Sequence, residues 1–222
     1  PLAGDASFRR YFRIKINGIS YIAMDAPPEK EAIEPFIRIN RMLSQASVLV
    51  PELLAINEAQ GFLLLSDLGD DVLLQHLNET TADNYYTLAM DTIDVIQNGI
   101  IDTTTLPEFD CAHMLKEMRV CPEWFLKGYL ELEINTAEHD VLESSMNWIA
   151  NEVYKQPQVF IHRDYHSRNL MLVGDRLGVI DFQDAMRGPF TYDLVSLLKD
   201  CYISWPRQQV LNWLRYFHAN NA

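Results

Sequence analysis

The stretch VFIHRDYHSRNLMLVGDRLGVIDFQD, residues 159–184, decides the reading of this chain. Three short β-like runs lie in it: VFIHRD at 159–164, NLMLV at 169–173 and GVIDF at 178–182. Short apolar runs bounded by turn residues read as strands, so the polar side chains between them are delivered to strand ends and loops. His162, Asp164, Asn169, Asp181 and Asp184 are the chemistry-bearing side chains so placed.

His162, Asp164 and Asn169 follow the order H-x-D-x-x-x-x-N, and Asp181-Phe182 ends the next run. That spacing matches a phosphoryl-transfer catalytic loop followed by a metal-binding aspartate. A hard Mg²⁺ ion takes oxygen ligands, so Asn169 offers a neutral oxygen and Asp181 a charged one. Asp164 is positioned to accept a hydroxyl proton as general base. His162 reads as a residue that holds the loop. Any one of these alone is an ordinary turn residue; three in order between apolar runs are not.

Upstream the texture is different. Residues 11–16 and 19–26 are β-rich and flank Asn17-Gly18, a strong hairpin signal. A helical pattern over 29–47 follows, with Pro35 accommodated in its first turn. Runs at 53–56 and 62–65, joined by NEAQG, complete a small antiparallel sheet. Beyond Asp67-Leu68-Gly69, helical patterns at 70–77, 81–98, 110–130 and 136–155 dominate, and two more follow Thr191. The expected architecture is α+β and two-lobed, with an N-terminal sheet lobe over 1–66 and a helical catalytic and acceptor lobe over 67–222.

Composition narrows the partners. Eighteen basic against 31 acidic residues give a net charge of −13, which repels nucleic-acid backbones. No apolar run approaches a bilayer span and no signal-peptide pattern opens the chain, so no membrane partner is expected. The three cysteines, Cys111, Cys121 and Cys201, form no paired motif. They read as buried thiols in a reducing, cytoplasmic protein. The missing initiator Met and the opening Pro1-Leu2-Ala3-Gly4 read as a trimmed chain. Oligomeric state has no signature here.

The segment 159–184 resembles the aminoglycoside phosphotransferase and choline kinase family of the protein-kinase-like fold, with DFQD where protein kinases carry D-F-G. RGPFTYDLVSLL resembles that family's G-x-P-x-x-D-L signature, which implies that Asp193 buttresses the catalytic loop. GDASFRRYFRI at 4–14, MDAPPEKE at 24–31, FLLLSDLGD at 62–70 and HRDYHSRNLM narrow the resemblance to the bacterial anomeric N-acetylmuramate and N-acetylglucosamine kinases. The resemblance implies ATP and Mg²⁺ as cofactors and a small sugar as acceptor, phosphorylated at its anomeric hydroxyl. It also implies a family longer at its C-terminus. An antibiotic or choline-type phosphotransferase and a non-catalytic nucleotide-binding relative are the alternatives. The retained Asp164, Asn169 and Asp181 disfavour the latter, and no A-P-E segment supports a protein kinase.

Nucleotide contacts have weaker signatures. Gly4 to Tyr11 lies where a glycine-rich loop is expected, with Ser7 near the phosphates. The third-strand lysine of protein kinases is absent from ISYIAMDA, where Met24 takes its place. Arg9, Arg10, Arg13 and Lys15 are the basic residues available to replace it. Arg10 is the expected phosphate contact, with Glu31 as its prospective helix partner. Ser66, Asp67 and Leu68 fall where the hinge of this fold reads adenine. For the acceptor, Asp184, Glu123 beside Trp124, and His166 are the candidates, with Arg168 completing the loop. Asp184 has a second metal role or a loop cap as alternatives.

Overall fold

The structure is a computed structural model and describes residues 8–100 and 102–220. Strands β1 (Arg10–Ile16), β2 (Ile19–Asp25), β3 (Leu53–Asn57) and β4 (Phe62–Ser66) form one antiparallel sheet in the order β1-β2-β4-β3. The β1–β2 hairpin turns on Asn17 and Gly18 at φ of 52° and 83°, the positive pair that a two-residue hairpin loop requires. Tyr11 lies opposite Met24, which in turn lies opposite Leu63, and Ile22 lies opposite Leu65. Period-two alternation therefore gives the sheet one face carrying Tyr11, Arg13, Ile22, Met24, Leu63 and Leu65.

Helix α1 (Glu34–Gln45) begins with Pro35 in its first turn and contributes Phe36, Ile37, Ile39 and Leu43 to the core that also holds Met24, Leu63 and Leu65. The chain then crosses to the second lobe. There a 3₁₀ turn, Leu73–His76, leads into α2 (Ala82–Gly99), whose buried Tyr86, Met90, Ile93 and Ile96 make it the central helix. Tyr86 stacks on Trp213 of α6 (Arg207–Asn220) with ring centroids 4.1 Å apart.

The pattern over 110–130 does not form one helix. It divides into α3 (Cys111–Met118) and a π-helical segment, Cys121–Tyr129. Pro122 has no amide to bond back to the preceding turn, so the α-helical ladder loses a rung there. Wider bonds such as Leu130 N–H to the Phe125 carbonyl replace it. The thiols also depart from expectation: Cys121 and Cys201 are exposed and Cys111 is half-buried, since Cys111 and Cys121 open their helical segments and Cys201 lies in the connection after Leu198.

Helix α4 (Thr136–Tyr154) opens with a full capping box between Asn135 and Glu138. Two short sheets then carry the decisive segment: β5 (Gln158–Ile161) pairs with β8 (Met186–Pro189), and β6 (Leu170–Val173) pairs with β7 (Arg176–Val179). The expected strand over 178–182 ends at Val179, leaving Asp181 outside it at φ 62°. Helix α5 (Tyr192–Leu198) follows β8. Among the described residues no helix is long and apolar enough to cross a membrane.

Candidate active site

Two buried carboxylates hold the loop that joins β5 to β6. Asp193, in the first turn of α5 and 1 % exposed, accepts the His162 amide at 2.7 Å and the Arg163 amide at 3.0 Å. Burial pushes its carboxyl up to about 7, while those two amides pull the other way. Asp200, at the end of the same region, accepts the Ser167 amide at 3.0 Å and also the Ser167 hydroxyl. His162 is fully buried, with Nε2 2.9 Å from the Ile180 carbonyl and Nδ1 3.3 Å from the Asp164 amide. Those partners require Nε2–H to donate and Nδ1 to accept, so the ring is neutral, and burial lowers its pKa to about 4. Arg163, between these anchors, sits at φ 78°, a conformation a non-glycine residue adopts only where its surroundings hold it.

The anchored loop presents Asp164 to solvent. Its carboxyl is held above the usual carboxylate range, first by loss of solvation and then by the Asp181 charge, against the pull of Arg163 and His166. Asn169 donates its side-chain amide to the Asp164 carbonyl at 3.0 Å, which leaves its Oδ1 as the atom for a cation. The Ile180 amide donates to the Asn169 carbonyl at 3.1 Å, so β6–β7 pairing sets Asp181 just beyond Asn169. Gln183, buried where protein kinases carry the glycine of D-F-G, donates to Asp181 Oδ1 at 2.8 Å and to Asp184 Oδ2 at 3.2 Å. One amide thereby spaces two exposed carboxylates. No group of three or more His, Cys, Asp or Glu among the described residues is placed to hold a metal. One amide oxygen and one carboxylate suit Mg²⁺, which usually takes few protein ligands beside phosphate oxygens and water.

Beside Arg163 lies a feature that no sequence spacing announced. Glu117 of α3 accepts the Arg163 guanidinium on Oε1 and the Tyr192 hydroxyl on Oε2 at 3.0 Å. His166 packs edge-on against Tyr202 with centroids 5.3 Å apart, and Arg168 lies over the same ring at 4.8 Å. Glu123, expected on the acceptor side, lies on the π-helical segment and pairs with Lys127 at 2.8 Å. It lines a cavity of about 350 Å³ with Arg119, His139 and Glu143, and Trp124 beside it is 72 % exposed.

On the nucleotide side, Ser7 lies outside the described residues. Arg10, expected at the phosphates, has a side chain that is 63 % exposed and pairs across the hairpin with Asp25. Arg9 is buried instead and pairs with Glu31 at 2.7 Å. Glu31 precedes α1 rather than lying on it. Ser66 is tied to Glu52 by bonds of 2.8 and 3.0 Å. Asp67 gives its carboxylate to Arg13 at 2.6 Å and to the Ser20 hydroxyl at 2.6 Å, so only its backbone is left for a base edge. Leu68 packs toward Gly178, where an added Cβ would lie 2.7 Å from the leucine methyl.

The sequence profile of the phosphotransferase enzyme family matches residues 1–221. The chain belongs to that family. It is 40 % identical over 211 residues to an N-acetylmuramate/N-acetylglucosamine kinase of Pseudomonas aeruginosa, covering 95 % of this chain and 62 % of that protein. The namesake from Neisseria meningitidis is 36 % identical over 226 residues, covering 99 % and 67 %. Thus the chain spans about three-fifths of the length of its Pseudomonas relative. Among solved structures, ADP-bound aminoglycoside phosphotransferase APH(2'')-Ib superposes with a TM-score of 0.66 at 17 % identity, over 96 % of this chain and 78 % of that one. An ethanolamine kinase of Plasmodium vivax gives 0.66 at 12 % identity, over 96 % and 68 %.

Membership of the phosphotransferase enzyme family accounts for the two-lobed, kinase-like fold. It does not account for Glu117, Gln183 or Asp200. Of these, only Gln183 left a trace in sequence, as the residue standing where the resembling motif has glycine.

Proposed function

We propose that the chain transfers the γ-phosphoryl group of ATP to a hydroxyl of a small amino sugar. The acceptor best supported is the anomeric hydroxyl of N-acetylmuramate or N-acetylglucosamine, the sugars in the names of the relatives that are 36–40 % identical. Residues 1–66 serve as the nucleotide lobe and 67–222 as the catalytic and acceptor lobe, working on small molecules in the cytoplasm. The observation that carries the reading is the Asn169 amide bonded to the Asp164 carbonyl with Asp181 set beside it through β6–β7.

Asp164 takes the acceptor's hydroxyl proton as the oxygen forms its bond to the γ-phosphorus. The bond from that phosphorus to the bridging oxygen breaks, and ADP departs with the electron pair. A base whose pKa is raised toward neutrality holds that proton more readily than an ordinary carboxylate does. Mg²⁺, when bound by Asn169 and Asp181, would neutralise charge on the phosphate oxygens. His162, Asp193 and Asp200 keep the loop in place, Gln183 sets the separation of Asp181 from Asp184, and Asp184 and His166 face the acceptor.

A coupled assay of ADP release with Mg-ATP tests this against N-acetylmuramate, N-acetylglucosamine, kanamycin and choline. Turnover on the amino sugars, with an acid-labile 1-phosphate as product, is expected. Turnover confined to kanamycin or choline would keep the chemistry and overturn the acceptor. The acidic balance of −13 is the one feature that favours a polycationic acceptor.

A further inference from the structure

An arginine, Arg163, stands directly before Asp164, where loss of solvation strengthens any pairing of charges. Arginine beside a carboxylate forms short, charge-assisted bonds to it, often two at once, and a carboxylate so occupied is a poor acceptor for an incoming hydroxyl. Yet among the described residues the Asp164 carboxylate accepts no hydrogen bond. The bonds of this residue run through its backbone: its amide donates to His162 Nδ1, and its carbonyl accepts the Asn169 side chain and the His166 amide.

The Arg163 side chain is directed elsewhere. Its Nη2 donates to Oε1 of Glu117, in the last turn of α3, and its guanidinium carbon lies 5.8 Å from the centre of the Phe109 ring. Its Nε is buried with no protein partner among the described residues, so the acceptor that holds the group there is Glu117. Glu117 is itself fixed at its second oxygen. Oε2 accepts the Tyr192 hydroxyl at 3.0 Å, and Tyr192 meets the same Phe109 ring edge-on at 4.9 Å. Tyr192 opens α5 one residue before Asp193, whose carboxylate takes the His162 and Arg163 amides. The Arg163 backbone, at φ 78°, is thus tied to Asp193, and its side chain is tied through Glu117 to the residue before. The two sides of the ion pair are 28 % and 37 % exposed, and pairs so open to water contribute little to stability. What the pair fixes is where the guanidinium goes.

We propose that Glu117 is a positioning residue for phosphoryl transfer: by holding the Arg163 guanidinium against Phe109, it keeps the Asp164 carboxylate open to the acceptor hydroxyl. The inference rests on the reading of function given above. Its consequence is specific. The harm of losing Glu117 comes from Arg163, so removing Arg163 as well undoes it.

Wild type, E117Q, E117D and the double variant E117Q/R163Q test it by steady-state kinetics, calorimetric titration with Mg-ATP and crystallography. E117Q, which keeps the side-chain volume, should lower kcat by about tenfold with Mg-ATP affinity within about twofold of wild type. The double variant should regain most of that loss, because no guanidinium is left to occupy Asp164. A strut lost at both ends would instead leave it as impaired as E117Q or worse. E117D, which keeps the charge, should fall between wild type and E117Q. In the crystal structure of E117Q the guanidinium should lie within about 4 Å of the Asp164 carboxylate. Should E117Q fail to fold, the same comparison is made with E117D and E117D/R163Q. A guanidinium that has not moved, or a double variant no better than E117Q, would overturn the role of Glu117 and leave the kinase reading standing. Wild type that turns over none of the acceptors named above would overturn the kinase reading and this role with it.

Discussion

Asp200 grips Ser167 twice, accepting its backbone amide at 3.0 Å and its hydroxyl with the same carboxylate oxygen, across 33 residues of chain. The other oxygen accepts the Tyr202 amide at 2.8 Å. Asp193 fixes the loop at residues 162 and 163, and Asp200 fixes it midway between Asp164 and Asn169. The loop between β5 and β6 is therefore suspended from two carboxylates on one segment, 193–200.

Replacing Asp200 with Asn keeps the volume but offers one acceptor oxygen to amides on both sides. One amide N–H then faces the new NH₂ group, and an unsatisfied buried donor costs about 1–3 kcal/mol. D200N should lose roughly tenfold or more in kcat, with stability reduced by a similar free energy, about 2 kcal/mol. S167A retains the backbone bond and should lose less in both. Steady-state kinetics alongside denaturant unfolding checks this; an S167A defect larger than that of D200N would contradict the suspension.

The proposed function gives Asp164 and Asp181 separable duties, one toward the hydroxyl and one toward the metal-bound nucleotide. D164N should reduce turnover by more than a thousandfold while Mg-ATP affinity stays within about threefold, because the base does not hold the nucleotide. D181A should weaken Mg-ATP binding by about tenfold or more and leave adenosine binding unchanged. Full turnover by D164N removes it from the proton transfer.

What the sequence made legible were features with local signatures. Asn17-Gly18 announced its turn because few other pairs tolerate two positive φ values. His162, Asp164, Asn169 and Asp181 were readable because strand ends at fixed spacing bring them together. β8 was not, since Met-Arg-Gly-Pro has no alternation and becomes a strand only by pairing with β5. Arg9 with Glu31, Arg163 with Glu117 and Ser167 with Asp200 join residues 22, 46 and 33 positions apart. Nothing local marks such pairs. The side of the sheet that Arg10 takes is a question of strand phase, which only the register of β1 on β2 decides.

His162 predicts a pH dependence of stability. Its folded pKa is lowered to about 4, below the ordinary value of 6.5, because burial disfavours the charged ring. The unfolded chain therefore binds more protons between those values, so the contribution is complete above 6.5 and disappears progressively as pH falls toward 4. Over this window the wild type should lose about 1.4 kcal/mol per pH unit through this group. H162Q, whose amide can still donate to Ile180, should show a shallower slope between pH 6.5 and 4.5 in urea titrations. Parallel slopes would exclude His162 as the source.

Arg13 and Asp67 strap the first hairpin to the crossing between the lobes, and acid should release that strap. Burial alone would raise the Asp67 carboxyl, but hydrogen bonds from Arg13, Ser20 and Gly69 outweigh it and hold the pKa below the ordinary value of 3.8. The folded state thus binds fewer protons than the unfolded one between the lowered value and 3.8. This contribution is fully present above pH about 4 and is lost as pH falls through the folded pKa. Hydrogen exchange of the 66–70 amides at pH 6 should be slow in the wild type and faster in D67N, with little change in the amides of α2. The Gly69 amide reports most directly, because it donates to Asp67 Oδ1 at 3.0 Å and loses a charged acceptor in the variant. R13Q should reproduce the effect, since it removes the donors that span Asp67 and Asp70. Equal exchange in all three proteins would show that the crossing is held by Leu68 against Gly178 rather than by this ion pair.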